Sequence, residues 1–197
     1  MPGETATKTI ERIGEQREQF EAFCRSLSEE ELRRPVPDST WIVKDFVSHL
    51  GSLDPTLTSW FLLTAQGSPE QPAVTADGSK FDIDALNDRL VAERREWPLE
   101  QILDEAAANR AELIAALEPM SEEDVSRVMH FQGDNKRSPA QLPLKAFLMG
   151  WSLHDPIHAA DMLKALPERA ADPAIQAWIE HPVIKGYQAA MAGAARR

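Results

Sequence analysis

Apolar residues recur along this chain at three- and four-residue steps, the repeat of a single helix face, and nowhere do they sustain the two-residue alternation of a half-buried strand. That rhythm excludes a substantial sheet and predicts long amphipathic helices. Ile10, Ile13, Phe20, Cys24 and Leu27 mark a first helix over about 5–27, and Pro35 and Pro37 force a turn after it. A second helix is predicted from a cap at Ser39 or Thr40 to about Gln66, carrying Val43, Phe46, Val47, Leu50, Leu53, Leu57 and Phe61 on its buried side. The Gly-, Pro- and Ser-rich stretch 67–80 reads as a surface connection. Helical spacing resumes over 81–96, then from Trp97 and Pro98 to a stop at Pro119. The stretch 121–138, with Gly133, Asp134 and Asn135, suits a loop or short hairpin. A last long helix is predicted over 139–166 and a shorter one over 174–187, before a frayed tail from Ala189.

Four long amphipathic helices joined by short to medium connections give the expected class: all-α, a four-helix bundle with extra short helices. At 197 residues a single domain is expected, with its bundle core over about 5–166 and a C-terminal helical extension over 172–190. A hydrophobic fraction of 43% supplies enough apolar surface for one core. The net charge of −11 repels phosphate backbones and anionic headgroups, so neither nucleic acid nor membrane is an expected partner. A lone cysteine, Cys24, rules out an internal disulfide and, with a polar first segment, points to a cytoplasmic address. Cys24 lies on the first helix's apolar stripe and reads as inert packing.

The placement of histidine carries the functional reading. At 100° per residue, His49 falls about 40° from Leu53 and about 60° from Phe46, inside the second helix's apolar stripe or on its edge. On the last helix the stripe Leu144, Phe147, Leu148, Trp151 continues into His154 and His158. Two histidines four residues apart share a face and can reach one cation. With His49 from a facing helix they make a three-nitrogen set that leaves a fourth position open, the composition of a catalytic rather than a closed structural metal site. The competing reading is that all three are hydrogen-bonded core residues. Asp155-Pro156 also allows the last helix to end at His154 and restart with Asp155 as its cap.

Around this set stand candidates for supporting roles. Asp45, one turn before His49, and Asp161, three residues past His158, are placed to orient imidazoles, against the alternative of ordinary surface acids. Asp54 is placed at a pocket mouth or as a cap before Pro55. Asn87 and Arg94 are candidates to hold an anionic substrate or to sit on a solvated face. Trp60, Trp151 and Trp178 read as core or interface residues. His130 and His181 read as exposed, and the charged run from Glu29 to Arg34 as a solvated helix end.

Two segments carry a family resemblance. Residues 41–50, WIVKDFVSHL, resemble the W-x-V-K-D-x-x-x-H-L signature of the DinB/YfiT-like superfamily, which includes the mycothiol-dependent maleylpyruvate isomerase N-terminal domain. Residues 150–161, GWSLHDPIHAAD, are similar to that group's second metal-binding segment, in which His or Glu is followed four residues later by His. The resemblance covers most of 5–166 and implies a four-helix bundle, often a homodimer, with a divalent metal (zinc or nickel) at His49, His154 and His158. It further implies a small-molecule substrate and a low-molecular-weight thiol such as mycothiol or bacillithiol. The chain has His154 where the isomerase branch tends to have Glu, and shows no clear additional C-terminal domain. The function expected is therefore a metal-dependent thiol S-transferase or isomerase. Its alternatives are a metal-assisted hydrolase in the same pocket and a non-catalytic bundle that binds metal or sequesters a small molecule.

Overall fold

A computed structural model describes residues 3–68, 82–135 and 138–194. The four rods of the bundle are α1 (Glu4–Arg25), the broken pair α3 (Val43–Ser52) and α4 (Asp54–Ala65), α6 (Leu99–Leu117), and the broken pair α8 (Leu144–Trp151) and α9 (His154–Met162). Between them lie α2 (Glu29–Leu32), α5 (Ile83–Ala92), α7 (Glu122–Ser126) and an antiparallel hairpin of β1 (Val128–Phe131) and β2 (Ala140–Pro143), paired from Val128↔Pro143 to Phe131↔Ala140. After a 3-10 turn, Leu163–Ala165, the chain adds α10 (Pro167–Ala170), α11 (Pro173–Ile179) and α12 (Pro182–Ala194). The all-helical class and bundle expected from periodicity are what the chain adopts, and the hairpin falls where the Gly-Asp-Asn turn residues placed it. The expected surface connection over 67–80 lies mostly outside the described residues. The C-terminal helix runs through Ala194, further than the predicted frayed tail.

Both histidine-bearing helices are interrupted, which apolar periodicity alone did not show. The predicted helix over 39–66 starts later, at Val43, and breaks at Leu53 just before the Asp54-Pro55 step. The predicted helix over 139–166 begins as a strand and breaks at Ser152–Leu153, so His154 opens α9 rather than ending the helix before it. Asp155 is therefore not a cap. It is the second residue of α9, in the first turn, and His154 and His158 share one short helix.

The break at Leu53 leaves the carbonyls of the last turn of α3 without amide partners of their own helix. Side chains take their place. Ser52 Oγ donates to His49 O (3.1 Å), Arg17 and Arg110 donate from Nη2 to Leu50 O (2.7 and 3.1 Å), and Asn109 Nδ2 donates to Gly51 O (3.1 Å). Gly51 is there because α3 crosses α6 closely: a Cβ on it would stand 2.3 Å from Ala106 Cβ.

The core divides in two. One cluster centres on Phe20, Val47, Leu50, Leu103 and Met162, the other on Ile13, Phe61, Leu113, Leu144 and Leu148. Burial of such side chains contributes about 1.5–3 kcal/mol each. Between the clusters on all four rods lies a charged layer of Arg17, Asp54, Arg110 and Asp155, each at most 7% exposed. Arg110 Nε binds Asp54 Oδ2 at 2.6 Å, Arg17 Nε binds Asp155 Oδ2 at 3.1 Å, and Arg110 Nη2 lies 3.6 Å from Asp155 Oδ1. Two cations and two anions balance, as a buried layer requires.

The charged run 29–34 is solvated only in part: Glu29, Glu30 and Arg33 are exposed, whereas Glu31 is buried. Ser28 and Glu31 form a reciprocal capping box on α2, and the buried Glu31 accepts from Arg169 Nε at 2.6 Å. That pairing holds its pKa down at about 2.

Candidate metal centre

His49 stands in the last turn of α3, and His154 and His158 stand one turn apart on α9, the helix packed across from it. Their ring centroids are 5.1 Å (His49–His154), 5.0 Å (His49–His158) and 4.6 Å (His154–His158) apart. One nitrogen from each lies within 4.8 Å of the other two. His154 Nε2 and His158 Nε2 face each other at 3.1 Å. Nitrogen ligands about 2.0–2.1 Å from a tetrahedral ion would stand about 3.3 Å apart, so the spacing of the His154–His158 pair is close to what one shared cation needs. His49 is buried, and the other two rings are half-buried, so the cluster approaches the surface on the α9 side.

The donor chemistry fits a divalent metal. A ligating imidazole must be neutral. Burial, and then the neighbouring His158 and His49 rings and the Arg110 and Arg17 guanidiniums, push the His154 pKa well below the usual imidazole value. His154 Nδ1 is buried with no hydrogen-bond partner among the described residues. His158 Nδ1 lies 3.1 Å from Asp161 Oδ2, and Lys164 Nζ holds the other Asp161 oxygen at 2.6 Å. Burial opposes the Asp161 charge, yet His158 and Lys164 outweigh it and keep the carboxyl below its ordinary range. This is the carboxylate–imidazole arrangement that fixes which ring nitrogen is left for a metal. No fourth His, Cys, Asp or Glu among the described residues joins the cluster.

The other candidates lie elsewhere. The Asp45 carboxylate accepts from Ile42 N at 3.1 Å at the start of α3 and from Arg95 Nη2 at 3.1 Å. Asp54 lines no pocket mouth, being fully buried in the charged layer. Arg94 is committed to Glu105 and to Leu90 O, which leaves it unsuited to hold an anionic substrate. Asn87 is half-buried on α5, beside α3, with Oδ1 unpartnered among the described residues. Trp60 and Trp178 are core residues, and His181 is exposed while His130 is half-buried on β1. Cys24 is fully buried, and burial raises its thiol pKa well above the usual value, consistent with inert packing.

What motif reading missed is the aromatic enclosure. Trp41 packs on His49 with centroids 5.1 Å apart, Phe46 on His158 at 5.6 Å, and Trp151 stacks on His154 at 4.2 Å with 25° between the planes. The signal was present in Trp151, which precedes His154 by three residues on the same stripe.

A family model for the mycothiol maleylpyruvate isomerase N-terminal domain matches residues 13–162, three quarters of the sequence and all three histidines. The chain belongs to that family. Among solved structures, the fold matches a crystal structure of the mycothiol-dependent maleylpyruvate isomerase, with a TM-score of 0.60 at 14% identity over 80% of this chain. A crystal structure of a mutant of that enzyme matches with a TM-score of 0.60 at 12% identity over 80% of this chain. In both cases the match spans 60% of the longer relative. No curated protein matches the sequence. Among the described residues no helix is long and apolar enough to cross a membrane.

Proposed function

We propose that this chain is a divalent-metal-dependent enzyme that uses a low-molecular-weight thiol to carry out S-transfer or isomerisation on a small electrophilic substrate. The observation that carries the reading is the convergence of three imidazole nitrogens within 4.8 Å, with no fourth protein ligand among the described residues. An open position beside three neutral nitrogens is what separates catalytic from structural sites. Membership of the isomerase-domain family and the neighbours' mycothiol dependence support the thiol as cosubstrate.

His49, His154 and His158 would hold the ion, and zinc or nickel suits such a set. Bound there, a divalent ion would supply Lewis acidity, lowering a thiol's pKa toward neutrality and polarising a substrate carbonyl. The protein's part is orientation. Asp161 holds the His158 ring, Lys164 holds Asp161, and burial keeps His154 neutral. Trp41, Phe46 and Trp151 wall the imidazoles and reduce water around the reacting centre.

The test begins with elemental analysis of protein purified without an affinity tag, which should give one divalent ion per chain, and none in His158→Ala. Cobalt-loaded protein should then develop a near-ultraviolet sulfur-to-cobalt band on addition of mycothiol or bacillithiol. A chain that takes up cobalt but shows no such band with either thiol would sink the thiol reading while leaving the metal site standing.

A further inference from the structure

Among the described residues His154 Nδ1 has no hydrogen bond, and its Nε2 meets only His158. His154 stands at the first position of α9, just past the break at Ser152–Leu153 that separates it from α8. What confines its plane is the stacked indole of Trp151. That indole is itself tied down. Its Nε1–H donates to Asp54 Oδ1 at 3.0 Å, and Arg110 holds the other Asp54 oxygen at 2.6 Å. The tether thus bridges the two interruptions, from the first residue of α4 to the last residue of α8.

We infer that Trp151 is a positioning residue for the metal centre, holding the His154 imidazole in its ligating plane through an indole anchored to Asp54 and Arg110. The inference rests on the metal reading of the three histidines. A ring–ring contact of this kind contributes beyond its buried area, and the N–H···carboxylate bond is charge-assisted, so the pair restrains both tilt and slide of the imidazole. Restraint before the ion arrives shows as affinity, and loss of such supporting groups typically costs 10–100-fold in metal binding.

The experiment uses apo protein of the full chain titrated with Co²⁺ against a chelator, with the visible d–d spectrum read at each step, on wild type, Trp151→Phe, Trp151→Ala and His154→Ala. Trp151→Ala is expected to weaken Co²⁺ at least about 10-fold and to alter the d–d bands. Trp151→Phe, which keeps a stacking ring without the tether, is expected to fall between it and wild type. Thermal unfolding of each apo variant separates this from a general loss of structure. If Trp151→Ala fails to fold, Trp151→Phe decides the matter by its own affinity and bands. Wild-type affinity and bands in every foldable Trp151 variant, with binding lost in His154→Ala, overturn the positioning role alone. Unchanged binding in His154→Ala overturns the metal reading and this inference with it.

Discussion

Arg110→Met should be among the most damaging single substitutions in this protein, and the reason lies in what it would leave behind. Arg110 satisfies Asp54 at 2.6 Å, approaches Asp155 at 3.6 Å and donates to Leu50 O at 3.1 Å. Methionine fills similar volume, so the loss is electrostatic rather than a cavity. Asp155 keeps Arg17, but Asp54, with no solvent exposure, keeps only the Trp151 indole. Removing one partner of a buried pair costs about 3–5 kcal/mol. At roughly 2–4 °C per kcal/mol for a chain of this size, the melting point should fall by about 6–20 °C. Burial already raises the Asp54 carboxyl above its ordinary value against the pull of Arg110, and without Arg110 it is expected to rise further. A raised folded pKa gives stability that is present at low pH and lost as pH rises, so the deficit should shrink on acidification from pH 7 toward pH 5. Adding Asp54→Leu should recover most of the loss, because an apolar pair replaces the ion pair at little cost. Urea unfolding of the wild type and both variants at pH 5 and pH 7 measures all of this. A single variant within about 1 kcal/mol of wild type at pH 7 would refute the account, as would a double variant no more stable than the single.

Gly51→Ala should destabilise by about 1–3 kcal/mol or more, because its Cβ would stand 2.3 Å from Ala106 Cβ, and Ala106→Gly in the same chain should restore part of it in thermal melts. Glu31→Gln should show its cost only where Glu31 is charged. The folded pKa is depressed to about 2 from the ordinary 4.5, chiefly by Arg169, so the gap between wild type and variant should be constant near neutrality. It should narrow as pH falls through that window and close near pH 2, a course that urea midpoints against pH will follow.

The helical class was legible because periodicity reports which face of a segment is buried, and the histidines because they occupy positions where the same rhythm calls for leucine. Helix interruptions were only partly legible: Asp155-Pro156 marked a break in the last helix just past where it falls. Apolar spacing runs unbroken through Leu53 and Leu153, and only tertiary contact decides that the chain resets its register there. For the same reason Asp45, Asp54 and Asp155 were misplaced: each lies next to a landmark in sequence, whereas its partner lies on a distant segment of the chain. Arg95 is 50 residues from Asp45, Arg110 is 56 from Asp54, and Arg17 is 138 from Asp155. Glu31 is a different failure. The Ser28-x-x-Glu31 pattern of a capping box was present in the sequence, but the charge density of the run around it suggested solvent. Trp151 shows how a residue correctly judged apolar and packed can still be missed as a functional neighbour when what it packs against is an imidazole.

The final turn of α3 has a consequence for how the protein assembles. Its carbonyls are answered by donors from α1 and α6, which arrive from both earlier and later in the chain. A fragment ending at Ser52 would leave Gly51 O and one lone pair of Leu50 O to water, and its His49 would ride on a fraying terminus. The first of the three imidazoles is therefore seated only once distant helices have docked, so on the proposed metal reading affinity would report completed tertiary structure rather than local helix formation.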